Sequence, residues 1–273
     1  MNDKKLEERY LSVIEDNDNV SKTNILSELF FLLFGIFLIC FAIYVFADYI
    51  AGIFIDNMSK ENQVKIEKLL SGGNNIKTVS LHNEKIQRLS QIKNIIIRTD
   101  KNLQGKSKFP LYEADLKEIN AFVTPDGKIY FTKGLLEKIE DEQILTFILA
   151  HELGHYAHRD HLKSIGRQLI SATLLYFITL GQKDMTSIVK GFSFADSISH
   201  SQKQEKMADL YANNVVLKLY GTNKGAIKFF EYLKKEEKVP EFLYYISSHP
   251  SNDTRMNLLK KQKNKKNNFV IFN

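Results

Sequence analysis

Cysteine is almost missing from this chain: Cys40 is the single one in 273 residues, and it lies inside an apolar run. An intramolecular disulfide is therefore impossible, and cysteine usage says nothing about redox compartment. There is no internal repeat. The formal charge is +6, but much of the excess crowds into one stretch, Lys260, Lys261, Lys263, Lys265 and Lys266. A nucleic-acid partner would need a basic face on a recognisable binding module, and none is present, so that class is set aside. The basic stretch, residues 261–273, reads as a solvated tail.

One hydrophobic run stands out. Residues 25–47 read ILSELFFLLFGIFLICFAIYVFA, with Glu28 as the one charge, near an end. That length matches a helix crossing a hydrocarbon core of roughly 30 Å. A secretory signal has a shorter apolar region, a basic start and a small-residue cleavage site, whereas this run starts late, is too long and offers no convincing cleavage site. The expectation is a single transmembrane helix that contacts membrane lipid through residues 25–47. Lys22 before it, and Asp48 and Asp56 after it, make a thin charge contrast. That contrast leans towards the residues after the run lying on the extracytoplasmic side, without fixing it.

Around the run, residues 1–24 are polar, with Leu6, Tyr10, Val13 and Ile14 spaced for one face of a short helix. Residues 61–70 show helical spacing, broken by Ser71-Gly72-Gly73-Asn74-Asn75. A helix is expected from Asn83 to Gln91, then a buried strand at Ile95-Ile96-Ile97. Tyr112–Leu116 reads as a strand. Residues 120–124 and 128–132 read as a hairpin around Pro125-Asp126-Gly127, where proline presets φ and glycine tolerates positive φ. Asp141 is the expected N-cap of a helix running to about His158. Leu169–Leu180 is too short for a full span and is read as a core helix, with a second membrane segment as the alternative.

The chemistry concentrates in Ala150-His151-Glu152-Leu153-Gly154-His155. On a helix, residues i and i+4 share a face, so His151 and His155 can bind one metal ion. Glu152 then reaches a water on that ion as general base. Ligand type points to one Zn2+ per chain. Catalytic zinc usually takes three protein ligands, and two residues compete for the third place. His161 stands ten residues after His151, as in the metzincin pattern, but that pattern needs glycine where this chain has His158. Glu205 lies in Gln204-Glu205-Lys206-Met207-Ala208-Asp209, with Asp209 one helical turn on. One carboxylate can bind metal while the other holds a ligating imidazole. Glu205 is the favoured candidate.

With these residues in view, the chain resembles the HtpX-like zinc peptidases, a group that includes Oma-type and CAAX-prenyl-protease-type enzymes. The resemblance rests on residues 119–136 (INAFVTPDGKIYFTKGLL), 150–161 (AHELGHYAHRDH), 204–212 (QEKMADLYA) and 248–255 (SHPSNDTR), and it covers about 60–260. It implies zinc ligation by His151, His155 and Glu205, catalysis by Glu152, and support of a ligand by Asp209. It also implies that the strand of Asn120, Ala121 and Phe122 borders the cleft, where an edge strand offers its backbone to an extended peptide. His249 and Arg255 are then expected to overhang the cleft. His249 would either stabilise the transition state or act as an inhibitory zinc ligand, and Arg255 would hold the loop or the substrate. With one span, the chain departs from the multi-span members that process prenyl proteins.

The expected architecture is α+β: a mostly helical zincin-type peptidase domain with a small antiparallel sheet over 60–260, preceded by one transmembrane helix. The expected function is a membrane-anchored zinc endopeptidase acting on protein or peptide substrates in protein quality control. Two alternatives stand beside it. One is a membrane-tethered binding or chaperone module with a non-catalytic metal; the other is a zinc hydrolase of non-peptide amides.

Overall fold

The computed structural model describes residues 3–15, 24–59, 61–62, 65, 76–79, 83–104, 108–179, 200–235, 245, 249 and 253–262. The Ser71–Asn75 loop, most of the helix expected over 61–70, and the tail beyond Gln262 lie outside the described residues.

The chain divides into two compact units, Met1–Phe46 and Ala47–Asn273. In the first, α1 spans Asp3–Glu15 and α2 spans Ile25–Val45. Asn24 caps α2 by accepting from the Leu26 N–H. With a mean hydropathy of 2.6, α2 is the one helix among the described residues long and apolar enough to cross a membrane. None of its side chains is buried. A 21-residue helix with an apolar surface all round is suited to lipid and not to water.

The second unit begins at α3, Ala47–Asn57. Next comes α4, Glu84–Thr99, capped by Asn83. The strand expected at Ile95–Ile97 is instead the last turn of this helix. Nothing between Gln91 and Ile95 breaks it, and Leu89, Ile92, Lys93 and Ile96 form its buried stripe at helical spacing. Exposed Ile95 lies off that stripe.

Three short strands follow: β1 Leu111–Ala114, β2 Ala121–Val123 and β3 Ile129–Thr132, in spatial order β1-β3-β2. The hairpin forms as read, with Phe122 opposite Tyr130 in an antiparallel pair and Gly127 at φ 80°. The sheet as a whole is mixed rather than antiparallel, because β1 pairs in parallel with β3. The tight hairpin gives β2 one edge of β3, so β1 takes the other, and the crossing segment between β1 and β2 returns it in the parallel sense. Tyr112, Tyr130 and Phe122 stack across one face, at 5.5 and 5.2 Å between ring centres. Leu111, Ile129 and Phe131 join the core.

The remaining helices are α5 Lys133–Lys138, α6 Glu142–Ala157, α7 Asp160–Ile178, α8 Gln202–Tyr220, α9 Lys224–Lys235 and α10 Asp253–Gln262. Helix α6 carries the motif through the middle of the core and is buried from Ile144 to Ala157. Asp141 caps it, as expected. The core-helix reading of Leu169–Leu180 needs correction: Leu169, Leu175, Phe177 and Ile178 are exposed on α7, where nearby Ala172 is buried. A short apolar run has the same pattern whether it faces protein or another apolar medium, so hydropathy could not separate the two.

Candidate active site

The site is built where α8 crosses α6. Ser201 and Gln204 form a reciprocal capping box that starts α8, which puts Glu205 in its first turn and Asp209 one turn on. Gly154 permits the crossing, since a Cβ there would sit 3.1 Å from Tyr211 Cδ1 and 3.3 Å from Ala208 Cα. Tyr211 is fixed from behind by donating to Asp100 at 2.6 Å.

His151, His155, Glu205 and His249 are buried, and one donor atom from each lies within 4.8 Å of all the others. The two Nε2 atoms of the histidine pair are 3.0 Å apart. Glu205 reaches His155 Nε2 at 3.2 Å and His151 Nε2 at 3.5 Å. On the far side of each ring is a carboxylate. Asp160 Oδ2 is 2.9 Å from His155 Nδ1, and Asp209 Oδ1 is 3.1 Å from His151 Nδ1. Both rings thus turn Nε2 to a common centre. Asp160 was not picked out from the sequence. It reaches His155 because Arg159, at φ 59°, reverses the chain between α6 and α7.

Arg255, on α10, is buried against these acids and does not overhang an open cleft. Its Nε and Nη2 donate to Asp209 at 2.6 and 2.8 Å, and Nη1 lies 2.8 Å from Glu205 Oε2. His249 Nδ1 is 3.1 Å from Glu205 Oε1 and its Nε2 is 3.5 Å from Glu152 Oε1. His161 is brought into neither donor cluster found among the described residues; its ring stacks on Tyr156 at 4.6 Å. His200, also missed in the sequence, stacks flat on His155 at 3.7 Å.

The electrostatics follow from burial opposed by these contacts. Burial alone would lower the His151 pKa, but Asp209 and Glu205 outweigh it and the pKa is raised. His155 behaves likewise through Asp160 and Glu205, and is pushed up to about 10. Burial pushes Glu205 up, yet His249 and the histidine pair hold it well below the usual carboxylate range. Asp209 is lowered by Arg255 against the same burial effect. His151 and His155 therefore sit in a negative field that a cation would neutralise. Glu152 Oε1 is buried with no hydrogen-bond partner. A set of imidazole and carboxylate donors closing on one point, with a buried orphan oxygen beside it, fits zinc.

Glu152, His155, His161, His200 and His249 line a cavity of about 10 Å3, with Phe122 and Val123 on another wall. That is room for about one water. Ala121 and Phe122 lie on β2, whose second edge has no strand partner among the described residues. Asn120 stands just before β2, its backbone exchanging hydrogen bonds with Thr132.

A helical core that carries HExxH, an acid-bearing helix across it, and a small sheet beside the cleft define the zincin class of metallopeptidase. The model of peptidase family M48 matches residues 81–263, and the chain belongs to that family, whose members use zinc. It is 24% identical over 191 residues to the mitochondrial metalloendopeptidase OMA1 of Bos taurus, covering 63% of this chain and 36% of that protein. The Danio rerio protein of the same name is 26% identical over 187 residues, covering 63% and 39%. In Schizosaccharomyces pombe the mitochondrial metalloendopeptidase OMA1 is 26% identical over 140 residues, covering 50% and 41%. The chain therefore spans about two fifths of the length of these relatives.

Proposed function

We propose that this chain is a membrane-anchored zinc endopeptidase that serves protein quality control. The observation that carries the reading is the buried donor cluster of His151, His155 and Glu205, with Glu152 facing the same small cavity as β2. The names of the M48 relatives, metalloendopeptidases, support the peptide bond as the target. Anchoring rests on the length and apolar surface of α2.

An extended substrate pairs with the open edge of β2, which sets its backbone along the cleft. Glu152 takes a proton from the attacking water and delivers it to the leaving nitrogen as the water oxygen bonds to carbon and the C–N bond breaks. Bound zinc supplies a water of lowered pKa and polarises the scissile carbonyl. Asp160 and Asp209 hold the two imidazoles in the ligating tautomer, and Arg255 keeps Asp209 and Glu205 ionised in place.

A second reading of His249 has its own support: it is one of the four mutually close donors. Four protein ligands close a zinc site, whereas an open position keeps it catalytic. In this reading His249 silences the resting enzyme and must swing away.

One experiment separates these outcomes. The full chain, in liposomes, is assayed for bound zinc and for cleavage of unfolded casein. Glu152→Gln should keep about one zinc per chain and lose about 10²–10⁴-fold in rate, the usual share of a general base. Glu205→Ala should lose zinc. His249→Ala should cleave faster if His249 silences the site, and slower with KM unchanged if it stabilises the transition state. Full activity in Glu152→Gln would sink the mechanism. A zinc-loaded wild type that cleaves nothing, with His249→Ala equally inert, would favour the binding module.

A further inference from the structure

Away from the donor cluster, the feature without a role is the pair of helices α3 and α7. They run antiparallel. Asp56, late in α3, lies 3.8 Å from Arg159 and 3.6 Å from Lys163 at the start of α7, and a Cβ on Gly166 would come 3.0 Å from Ala51 Cβ. The later half of α7 therefore lies towards the beginning of α3. At that end the side chains facing outward are apolar: Tyr49, Ile50, Ile53 and Phe54 on α3, and Leu169, Leu175, Phe177 and Ile178 on α7. Between the helices is an apolar cavity of about 260 Å3, lined by Ile50, Phe54, Met58, Ile165, Leu169 and Ile170 among others.

Water is a poor match for so large a contiguous apolar face. Three observations favour lipid as its occupant. Phe46 alone separates α3 from the proposed span Ile25–Val45, so the chain passes from that span directly into the first turn of α3. The charges are graded along α7: Arg159, Lys163 and Arg167 recur every fourth residue in its first half, and the exposed apolar residues follow. Such a gradient suits phosphate headgroups first and acyl chains beyond. The hydroxyls on the apolar half are satisfied within the helix, with Thr173 donating to the Leu169 carbonyl at 2.8 Å and Thr179 to that of Leu175 at 2.9 Å. From Leu169 to Ile178 the helix is about 15 Å long, half of a hydrocarbon core.

We propose that α3 and α7 form a second membrane contact, a helix pair seated in one leaflet whose cavity is filled by lipid acyl chains. The proposal rests on the reading of Ile25–Val45 as a span. Its consequence for the site runs through Ile165, which lines both the acyl cavity and the catalytic cavity. One wall of the cleft is then backed by lipid, and the cleft lies at the headgroup level, not out in solvent.

Single nitroxide labels on the full chain in phosphatidylcholine–phosphatidylglycerol liposomes test this, with Cys40→Ser removing the native thiol. Labels are placed at Phe54, Leu169 and Phe177, at Phe37 within the span, and at exposed Lys218 as the aqueous reference. The ratio of collisions with oxygen to collisions with a water-soluble nickel chelate is measured at each. The expected result is a shift of the ratio at Phe54, Leu169 and Phe177 from the Lys218 value to the Phe37 value. Water-like ratios at these three sites, with Phe37 lipid-like, overturn the second contact and leave the span standing. Shielding from both reagents overturns it too, and points to a second copy or another segment of the chain as the cover. A water-like ratio at Phe37 removes the anchor itself, and the inference with it.

Discussion

Each imidazole of the motif is pinned from behind by an acid, and the two acids arrive by different routes. Asp209 comes from α8, one turn past Glu205, and is itself clamped by Arg255. Asp160 comes from the turn after α6 and meets His155 at 2.9 Å. A carboxylate in this position fixes the ring tautomer and typically governs metal affinity by about 10–100-fold. Asp160→Ala should therefore weaken zinc by about that factor in competition with a chelator, and His161→Ala should leave it nearly unchanged. Equal zinc affinity in Asp160→Ala and the wild type would remove Asp160 from the site. The histidine pair and Glu152 could be read in the sequence because consecutive turns of one helix put them together. Asp160 and His200 could not, because one depends on a left-handed residue and the other on a ring stack between distant segments. An acid just after the end of a ligand-bearing helix is the signal that would have found Asp160.

At the scale of elements, the position of Glu205 depends on how closely α8 can approach α6, and Gly154 sets that approach. Ala208 offers backbone at 3.3 Å, and Tyr211 is tied to Asp100, so neither yields readily to a new methyl group. Gly154→Ala should cost about 1–3 kcal/mol in denaturant unfolding, the usual range for overpacking. It should also weaken zinc. Unchanged stability would mean that the helices separate freely and that the close crossing is not required. Capping and turn chemistry made α6 and the β2–β3 hairpin legible: Asp141, Pro125 and Gly127 each act locally. The parallel β1, the helical turn at Ile95–Ile97 and the exposed half of α7 were not legible. Each was decided by what the element packs against, which no local pattern records.

Over the whole molecule, four separate stretches converge on one point: α6, α8, the bend at His249, and α10. The buried ion pair of Arg255 with Asp209 is the last link. Removing one partner of such a pair leaves an uncompensated charge, at a cost of about 3–5 kcal/mol. A chain ending before Asp253 should therefore fail to hold zinc and show no proteolysis, as read by metal analysis of the purified protein. Retention of zinc by that truncation would show that Arg255 is dispensable. The consequence concerns the order in which the protein is made. The ribosome releases the HExxH helix long before the C-terminal arginine that steadies its acids, so a growing chain carries the catalytic glutamate but not a finished centre. Until that guanidinium is made, Asp209 lacks the cation that clamps it, so the donor cluster is completed only once α10 has joined it.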